Sequence, residues 1–216
     1  MASEHNEVLL TRASLRSILH DLSNRLYASF GHQLKSRRAT RDIDYIHRAF
    51  VADYQRYGVF DAEARLTSCI AATARKFGLG GDWMNAHADV ALPMAPDRYG
   101  RLYDPIAHAS MNQTNIDHNT IYSSPGLLLV GVTWAWGLAL KFVRYQKDDP
   151  GDVAAMLRLA YWQRGIKWDV DSLEKWMTAI CWPMGYSSYP HPKVETLRKR
   201  LHHAIALAKG RALPTP

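Results

Sequence analysis

The apolar side chains of this 216-residue chain change their spacing near residue 125, and this change constrains the fold more than any other feature. Before it, helical patterns alternate with short strand candidates and turn-forming residues. After it, apolar residues recur every three or four positions almost to the end, which is typical of amphipathic helices. Helices are expected at 127–145, 152–164, 171–181 and 193–209. The pattern predicts a small α/β part, residues 1–125, followed by an all-helical part, residues 126–216.

The first part combines helix patterns with strand patterns. Amphipathic spacing predicts helices at 14–27 and 61–77, and a short helix is expected to start at Asp82. Strand candidates are 42–46, where acidic and apolar residues alternate, and the polar segment 115–122. No linker rich in glycine, proline or serine separates the two parts, so we expect them to form one compact unit.

The composition excludes several classes of protein. Hydrophobic residues make up 47% of the chain and aromatic residues 11%, which excludes disorder as the main state. The two cysteines, Cys69 and Cys181, are too few for a disulfide scaffold and have no metal-binding spacing. The N-terminus lacks the apolar run of a signal peptide, and the apolar stretch 126–142 is short for a membrane span. We therefore expect a cytoplasmic protein with no membrane partner.

The charge balance favours partners that carry phosphate. Lysine and arginine number 27 against 20 aspartate and glutamate residues, a formal net charge of +7 at pH 7. A basic excess of this size is compatible with nucleotides and nucleic acids. Charge alone does not choose between them, because many soluble proteins are equally basic.

Two acidic residues, Asp42 and Asp44, flank Ile43 in the first strand candidate. Alternate side chains of a strand point to the same face, so the two carboxylates are expected to lie side by side. A divalent cation would offset their repulsion, and hard oxygen ligands suit Mg²⁺ or Mn²⁺. The alternative is a solvated edge strand whose acids pair with neighbouring arginine side chains.

A pair of small residues, Ala28 and Ser29, precedes Asp42 with twelve residues between. Small side chains let the backbone approach a triphosphate, and the Ser29 hydroxyl and nearby amides are expected to donate hydrogen bonds to it. A divalent cation over the β- and γ-phosphates would neutralise charge as pyrophosphate leaves. These residues together indicate a nucleoside triphosphate bound with Mg²⁺.

The run from Arg38 to Asp44, R-A-T-R-D-I-D, resembles the R-x-T-x-D-I-D signature of the nucleotidyltransferase-fold superfamily, and its AbiEii-type branch in particular. Ala28-Ser29 is similar to the G-G or G-S pair of that superfamily. The segment 77–85, F-G-L-G-G-D-W-M-N, is similar to the G-L-P-x-D-W-L-N segment of the branch. The segments 124–128, S-P-G-L-L, and 147–153, K-D-D-P-G-D-V, are similar to its P-E-x-L-L region, which a Lys commonly follows, and to its K-D-x-x-D-I region. The resemblance covers roughly residues 15–175.

The resemblance implies a nucleotidyltransferase-like fold, a small mixed sheet flanked by helices. It also implies in-line transfer of a nucleotidyl group from a nucleoside triphosphate to a hydroxyl acceptor, with pyrophosphate leaving. In this family Asp42 and Asp44 would hold the metal, and Ser29, Arg38 and Thr40 would contact phosphate. The acceptor stays open between RNA, protein and a small molecule.

A third carboxylate on a later strand usually completes the metal site of the superfamily and can activate the acceptor hydroxyl. The resemblance assigns this role to Asp117, with Asp89 as the alternative. Asp149 and Asp152 are expected near the start of a helix, where the helix dipole favours acidic side chains.

The chain departs from the family pattern at four positions. Ala28 stands where the family has Gly, and Gly80 where it usually has Pro. Gly126 stands where it usually has Glu, and Val132 where it commonly has Lys. These departures keep two other functions open. One is a catalytically inactive protein of the same fold that serves as a nucleotide-binding or antitoxin-like interaction module. The other is a pathway enzyme that reuses the fold for other small-molecule chemistry, with the tryptophan-rich helical part shaping an apolar site.

Overall fold

The computed structural model describes residues 5–8, 10–26, 39–40, 42–124 and 127–211. Within these ranges the chain is mixed α/β, with small sheets and many helices. It divides into two compact units, which are taken separately below. The described residues up to Gly131 form the first unit, and residues 132–211 form the second.

The described part of the first unit contains five helices and four two-stranded sheets. The helices are α1 (Arg12–Leu26), α2 (His47–Arg56), α3 (Ala62–Phe77), α4 (Pro105–Ser110) and α5 (Gln113–Asn119). The strands are β1 (Leu10–Thr11), β2 (Ala39–Thr40), β3 (Ile43–Asp44), β4 (Met84–Asn85), β5 (Ala95–Pro96), β6 (Leu102–Tyr103), β7 (Thr120–Ser124) and β8 (Leu127–Val130). Strands β3 and β4 pair in parallel, whereas β1–β2, β5–β6 and β7–β8 are antiparallel.

The core of the first unit is built largely on α1, α3 and β4. On α3, Leu66, Ile70 and Ala74 recur every four residues and are buried, which is the pattern that predicts this helix from the sequence. The helix ends at Gly78, whose φ of 63° lies in the left-handed region that glycine adopts without strain. The predicted helix over 61–77 is therefore confirmed.

Trp83 lies at the centre of this core, with 0% of its surface exposed. Its indole Nε1–H donates to the Ile70 carbonyl at 3.2 Å, which ties it to α3. Its own carbonyl accepts the N–H of Ile43 at 2.9 Å, which ties it to β3. One residue thus connects the longest helix of the unit to its parallel strand pair.

Arg48, in the first turn of α2, holds the base of the β5–β6 hairpin. Its Nε donates to Asp104 Oδ2 at 2.7 Å, and its Nη1 donates to the carbonyls of Asp89 and Leu92 at 2.8 and 3.1 Å. Its Nη2 donates to the Pro93 carbonyl at 3.3 Å. Leu92 and Pro93 precede β5, and Asp104 follows β6. One guanidinium therefore fastens both ends of the hairpin, through the rigid fork geometry that arginine supplies.

Three predicted elements are wrong. Of the strand predicted over 115–122, Asn115–Asn119 is helical, because Asn112 caps α5 by accepting the Thr114 N–H at 3.0 Å, and the residues from Thr120 on are extended in β7. Leu127–Val130 is strand β8 rather than the start of a helix, because it pairs with β7. The short helix expected at Asp82 is replaced by β4. An apolar run of four or five residues fits a buried strand and a buried helix equally well, so spacing alone cannot separate them.

The second unit is helical in its described residues. Its helices are α6 (Trp134–Arg144), α7 (Asp149–Arg164), α8 (Val170–Ile180) and α9 (His191–Ala208). They lie at the segments where the sequence predicts helices, although the first begins later than expected. In the part of the chain that the structure describes, no helix has the length and hydrophobicity to cross a membrane.

Asp149 and Asp152 lie in the first turn of α7, as expected, and both are buried against basic side chains of α6. Lys141 Nζ donates to Asp152 at 2.6 Å and to Asp149 at 3.3 Å, and Arg144 makes two hydrogen bonds of 2.9 Å to Asp149. Burial alone would raise the pKa of Asp149. Hydrogen bonds from Arg144 and the Gln146 N–H, with the two basic charges, lower it to about 2.

Asp149→Asn is expected to lower the free energy of unfolding by about 2 kcal/mol at neutral pH, because Lys141 and Arg144 lose a paired carboxylate. A lowered pKa stabilises the fold above the unfolded-state value of about 4, and this stabilisation is lost as the pH falls towards about 2. Urea titrations at a series of pH values should therefore show the two proteins converging at low pH.

The control is Glu195→Gln, which removes an exposed carboxylate on α9 of the same unit and should change stability by less than about 0.5 kcal/mol. Equal losses in the two variants would contradict the role given to Asp149.

Candidate functional site

The acid pair lies on the exposed side of β3. Asp42 and Asp44 are both exposed, whereas Ile43 between them is partly buried and packs against the core. The side chains thus alternate between solvent and interior, and the strand predicted over 42–46 is confirmed only at Ile43–Asp44. Both carboxylates are placed where a ligand can reach them from solvent.

Asn85 lies beside the acid pair. In the parallel ladder Asp44 is in register with Asn85, and residues in register point to the same side of a sheet. Asn85 is only 9% exposed; its Nδ2 donates to the Asp82 carbonyl, and its Oδ1 accepts the N–H of His87, both at 2.9 Å. These bonds fix the chain where it leaves β4, at the carboxyl end of a parallel pair, where α/β proteins bind ligands.

A chain of three hydrogen-bonded side chains leads away from the end of β3. The Tyr45 hydroxyl lies 3.0 Å from His47 Nδ1, and His47 Nε2 lies 3.1 Å from Glu63 Oε1. Burial raises the pKa of Tyr45, and the negative charges of Asp89 and Glu63 raise it further. The phenol of Tyr45 therefore stays protonated, next to an imidazole whose other nitrogen faces the Glu63 carboxylate. This chain joins β3 to the first turns of α2 and α3.

The two candidates for a third carboxylate are held by other contacts. Asp117 is exposed on α5, and its Oδ1 accepts a hydrogen bond of 2.7 Å from Gln113 Nε2 on the same helix. Asp89 Oδ2 accepts the Arg48 N–H at 2.8 Å, while its Oδ1 is buried with no hydrogen-bond partner. Within the described ranges, no three His, Cys, Asp or Glu side chains are grouped so that they would hold a metal ion. The structure therefore offers a pair of acids rather than a triad.

The residues predicted to contact phosphate are only partly described. Ser29 and Arg38 lie outside the described residues. Thr40 is described through its backbone, which belongs to β2 and is in register with Leu10 of β1. Their phosphate contacts stay predictions.

A groove of about 450 Å³ opens between α1 and β7. Its lining residues are Arg16, Ser17, His20, Tyr122, Ser123 and Ser124. His20 Nδ1 lies 3.2 Å from the Tyr122 hydroxyl, which joins the two walls. These six residues supply a guanidinium, an imidazole and hydroxyl groups but no carboxylate, a chemistry that suits an anion. Sequence reasoning missed the groove because its two walls lie about a hundred positions apart in the chain.

The place of Asn85 beside the acid pair was not predicted from the sequence. Its place beside Asp44 depends on the pairing of two distant segments, which leaves no local pattern. The one signal that pointed to it was the segment 77–85, where Asn85 matches the final residue of G-L-P-x-D-W-L-N.

Comparison of the chain with protein-family models, with curated proteins and with solved structures finds no match. The resemblance to nucleotidyltransferases therefore stays a prediction. The geometry of the described residues carries the functional argument.

Asn85→Ala is expected to lower the free energy of unfolding by about 1–3 kcal/mol, because the Asp82 carbonyl and the His87 N–H lose a buried partner. Denaturant titration of the purified variant measures the loss. His87→Ala is the control, since it removes an exposed neighbouring side chain and should cost less than about 0.5 kcal/mol. An Asn85→Ala protein as stable as the wild type would show that this side chain does not hold the end of β4.

Proposed function

We propose that this protein binds a nucleoside triphosphate together with Mg²⁺ through Asp42 and Asp44, and transfers the nucleotidyl group to a hydroxyl acceptor. The observation that carries the proposal is the acid pair itself. Two exposed carboxylates lie one residue apart, Asp42 directly before the short strand β3 and Asp44 at its end, and Ile43 between them packs against the core. The basic charge of the chain and the resemblance of the Arg38–Asp44 run to nucleotidyltransferases support it.

The number of carboxylates in the acid pair and their exposure to solvent both fit a Mg²⁺ site. Mg²⁺ usually keeps several waters and is bound by one or two carboxylates together with the phosphates of a substrate, rather than by a closed protein cage. Mn²⁺ accepts the same oxygen ligands. Such an ion would neutralise the charge that develops on the departing pyrophosphate.

In this proposal the surrounding residues of the chain hold the two carboxylates in position. The backbone of β3 is held on both sides of Asp44, because Ile43 N–H donates to the Trp83 carbonyl and Tyr45 N–H donates to the Asn85 carbonyl, both at 2.9 Å. Nucleotidyl transfer depends mainly on holding the acceptor and the α-phosphorus in line, and such positioning accounts for a large share of enzymatic rate enhancement. A strand fixed to a buried tryptophan supplies a rigid platform for that purpose.

Calorimetric titration of Mg²⁺ with ATP, GTP, CTP and UTP tests the site. The double variant Asp42→Asn/Asp44→Asn is expected to weaken metal-dependent binding of the preferred triphosphate at least about tenfold, which is about 1.4 kcal/mol. The matched control is Asp53→Asn/Asp61→Asn, which removes two exposed carboxylates from the same unit and should bind as the wild type does. Equal weakening in both double variants, or a wild type that binds no triphosphate, would overturn the proposal.

A second candidate function is a nucleotide-binding module that performs no transfer. The observation that favours it is the place of Asp117, which lies on helix α5 and is bonded to Gln113 rather than standing on a strand. A site without a third acid would still bind metal and phosphate, but it would lack a group to activate the acceptor hydroxyl.

Asp117→Asn separates the two functions. If transfer occurs with Asp117 as the third acid, the variant should keep triphosphate binding and lose about 100-fold or more in transfer from an α-labelled triphosphate, because proton removal from the acceptor is slowed. The transfer assay offers total RNA, a protein lysate and water as acceptors. Gln113→Ala removes only the partner within the helix and should leave binding and transfer unchanged. Binding without any transfer by the wild type would favour the binding module.

A further inference from the structure

The tip of the β5–β6 hairpin presents an exposed tyrosine that two arginines contact. Tyr99 is 66% exposed. The guanidinium carbon of Arg98 lies 4.6 Å from the centre of its ring, and that of Arg101 lies 5.2 Å from it. Cation–π contacts of this kind hold the guanidinium groups close to the ring.

The tip is held in one conformation by hydrogen bonds to Asp97. The carboxylate accepts the N–H groups of Tyr99 and Arg101 at 2.8 and 2.9 Å, and it also accepts Arg101 Nε at 2.9 Å. Asp97 N–H donates to the Arg101 carbonyl at 2.8 Å, and Gly100, with a φ of 78°, completes the turn. The hydrogen bonds from Arg101 and Tyr99 hold the pKa of Asp97 below its usual value.

The base of the hairpin is held as firmly as its tip. Arg48 binds the carbonyls of Leu92 and Pro93 before β5 and the carboxylate of Asp104 after β6. A loop that is already ordered loses little conformational entropy when it binds a ligand. The hairpin is therefore a preorganised element that displays Tyr99 to solvent.

The charges at the tip favour an anionic ligand. Arg101 is paired with Asp97, whereas Arg98 is exposed and, among the described residues, makes no salt bridge to a carboxylate. The tip thus offers one positive charge beside an exposed aromatic ring. Bases of single strands stack on aromatic rings and on guanidinium planes, and arginine binds the adjoining phosphates.

We propose that the β5–β6 tip binds single-stranded nucleic acid, with a base stacked on Tyr99 and a phosphate bound by Arg98. A duplex would bind more weakly, because its bases are already stacked on one another. The net charge of +7 supports association with a polyanion. This surface is separate from the acid pair, and its proposal does not depend on nucleotidyl transfer.

Fluorescence anisotropy with a labelled RNA of about 12 nucleotides tests the tip. Tyr99→Ala is expected to weaken binding at least about fivefold, because a stacked base contributes about 1–3 kcal/mol, and Tyr99→Phe should bind as the wild type does. The control is Tyr57→Ala, which removes another exposed tyrosine of the same unit, 84% exposed, and should leave the affinity unchanged.

The salt dependence tests the phosphate contact. Arg98→Gln should weaken binding to all sequences alike and lower the slope of log affinity against log salt by about one. Arg75→Gln, an exposed arginine on α3, is the charge-matched control and should not change that slope. A DNA strand of the same sequence distinguishes RNA from DNA as the preferred ligand.

Several results would overturn the proposal. The first is a wild type that does not bind the RNA at low salt. The second is an equal loss of affinity in Tyr99→Ala and Tyr57→Ala. The third is binding that depends on Arg98 but not on Tyr99, which is the behaviour expected for any polyanion. The two experiments use different probes, a triphosphate with Mg²⁺ for the acid pair and an RNA strand for the tip. Failure of the acid pair to bind a triphosphate and failure of the tip to bind RNA are therefore separate outcomes.

Discussion

The burial of Trp83 is the constraint on which the rest of the first unit depends. Its indole hydrogen bond joins it to α3, and its carbonyl holds the N–H of Ile43 in β3. A buried indole needs a partner for its N–H, so the ring can occupy this position only when α3 is correctly placed. The register of β3 on β4 follows, and with it the outward direction of Asp42 and Asp44.

Two pairs of nearby acids in this chain show how the surroundings of a carboxylate decide its role. Asp149 and Asp152 are buried, and Lys141 and Arg144 match their charge, so they join α6 to α7. The pair on β3 is exposed to solvent. Carboxylates that are buried against basic groups are closed to a cation from solvent, whereas exposed carboxylates are accessible to one.

Much of the helical part of the fold could be predicted from the spacing of apolar residues, because helix formation depends mainly on residues close in sequence. The buried face of α3 and its glycine end follow from the apolar period and from the freedom of Gly78. The error at β8 arose because pairing with β7, rather than local preference, decides its conformation. The acid pair was predictable since its alternation lies within three residues. Asn85 and the Arg48 contacts were not, because they join segments about 40 or more residues apart.

The short segment from Asp42 to Arg48 links both proposed surfaces of the first unit. Its strand end carries the acids, and its helix start carries the guanidinium that fastens the β5–β6 hairpin. The two surfaces nevertheless depend on different bonds: the acids depend on the backbone ladder to β4, and the hairpin depends on the side chain of Arg48. A hairpin released at its base would keep the chemistry of Arg98 and Tyr99, yet it would have to be ordered on binding, at about 0.5–1.5 kcal/mol for each immobilised side chain. Arg48 therefore affects binding at the tip by keeping the hairpin ordered. The acid pair does not depend on this contribution of Arg48.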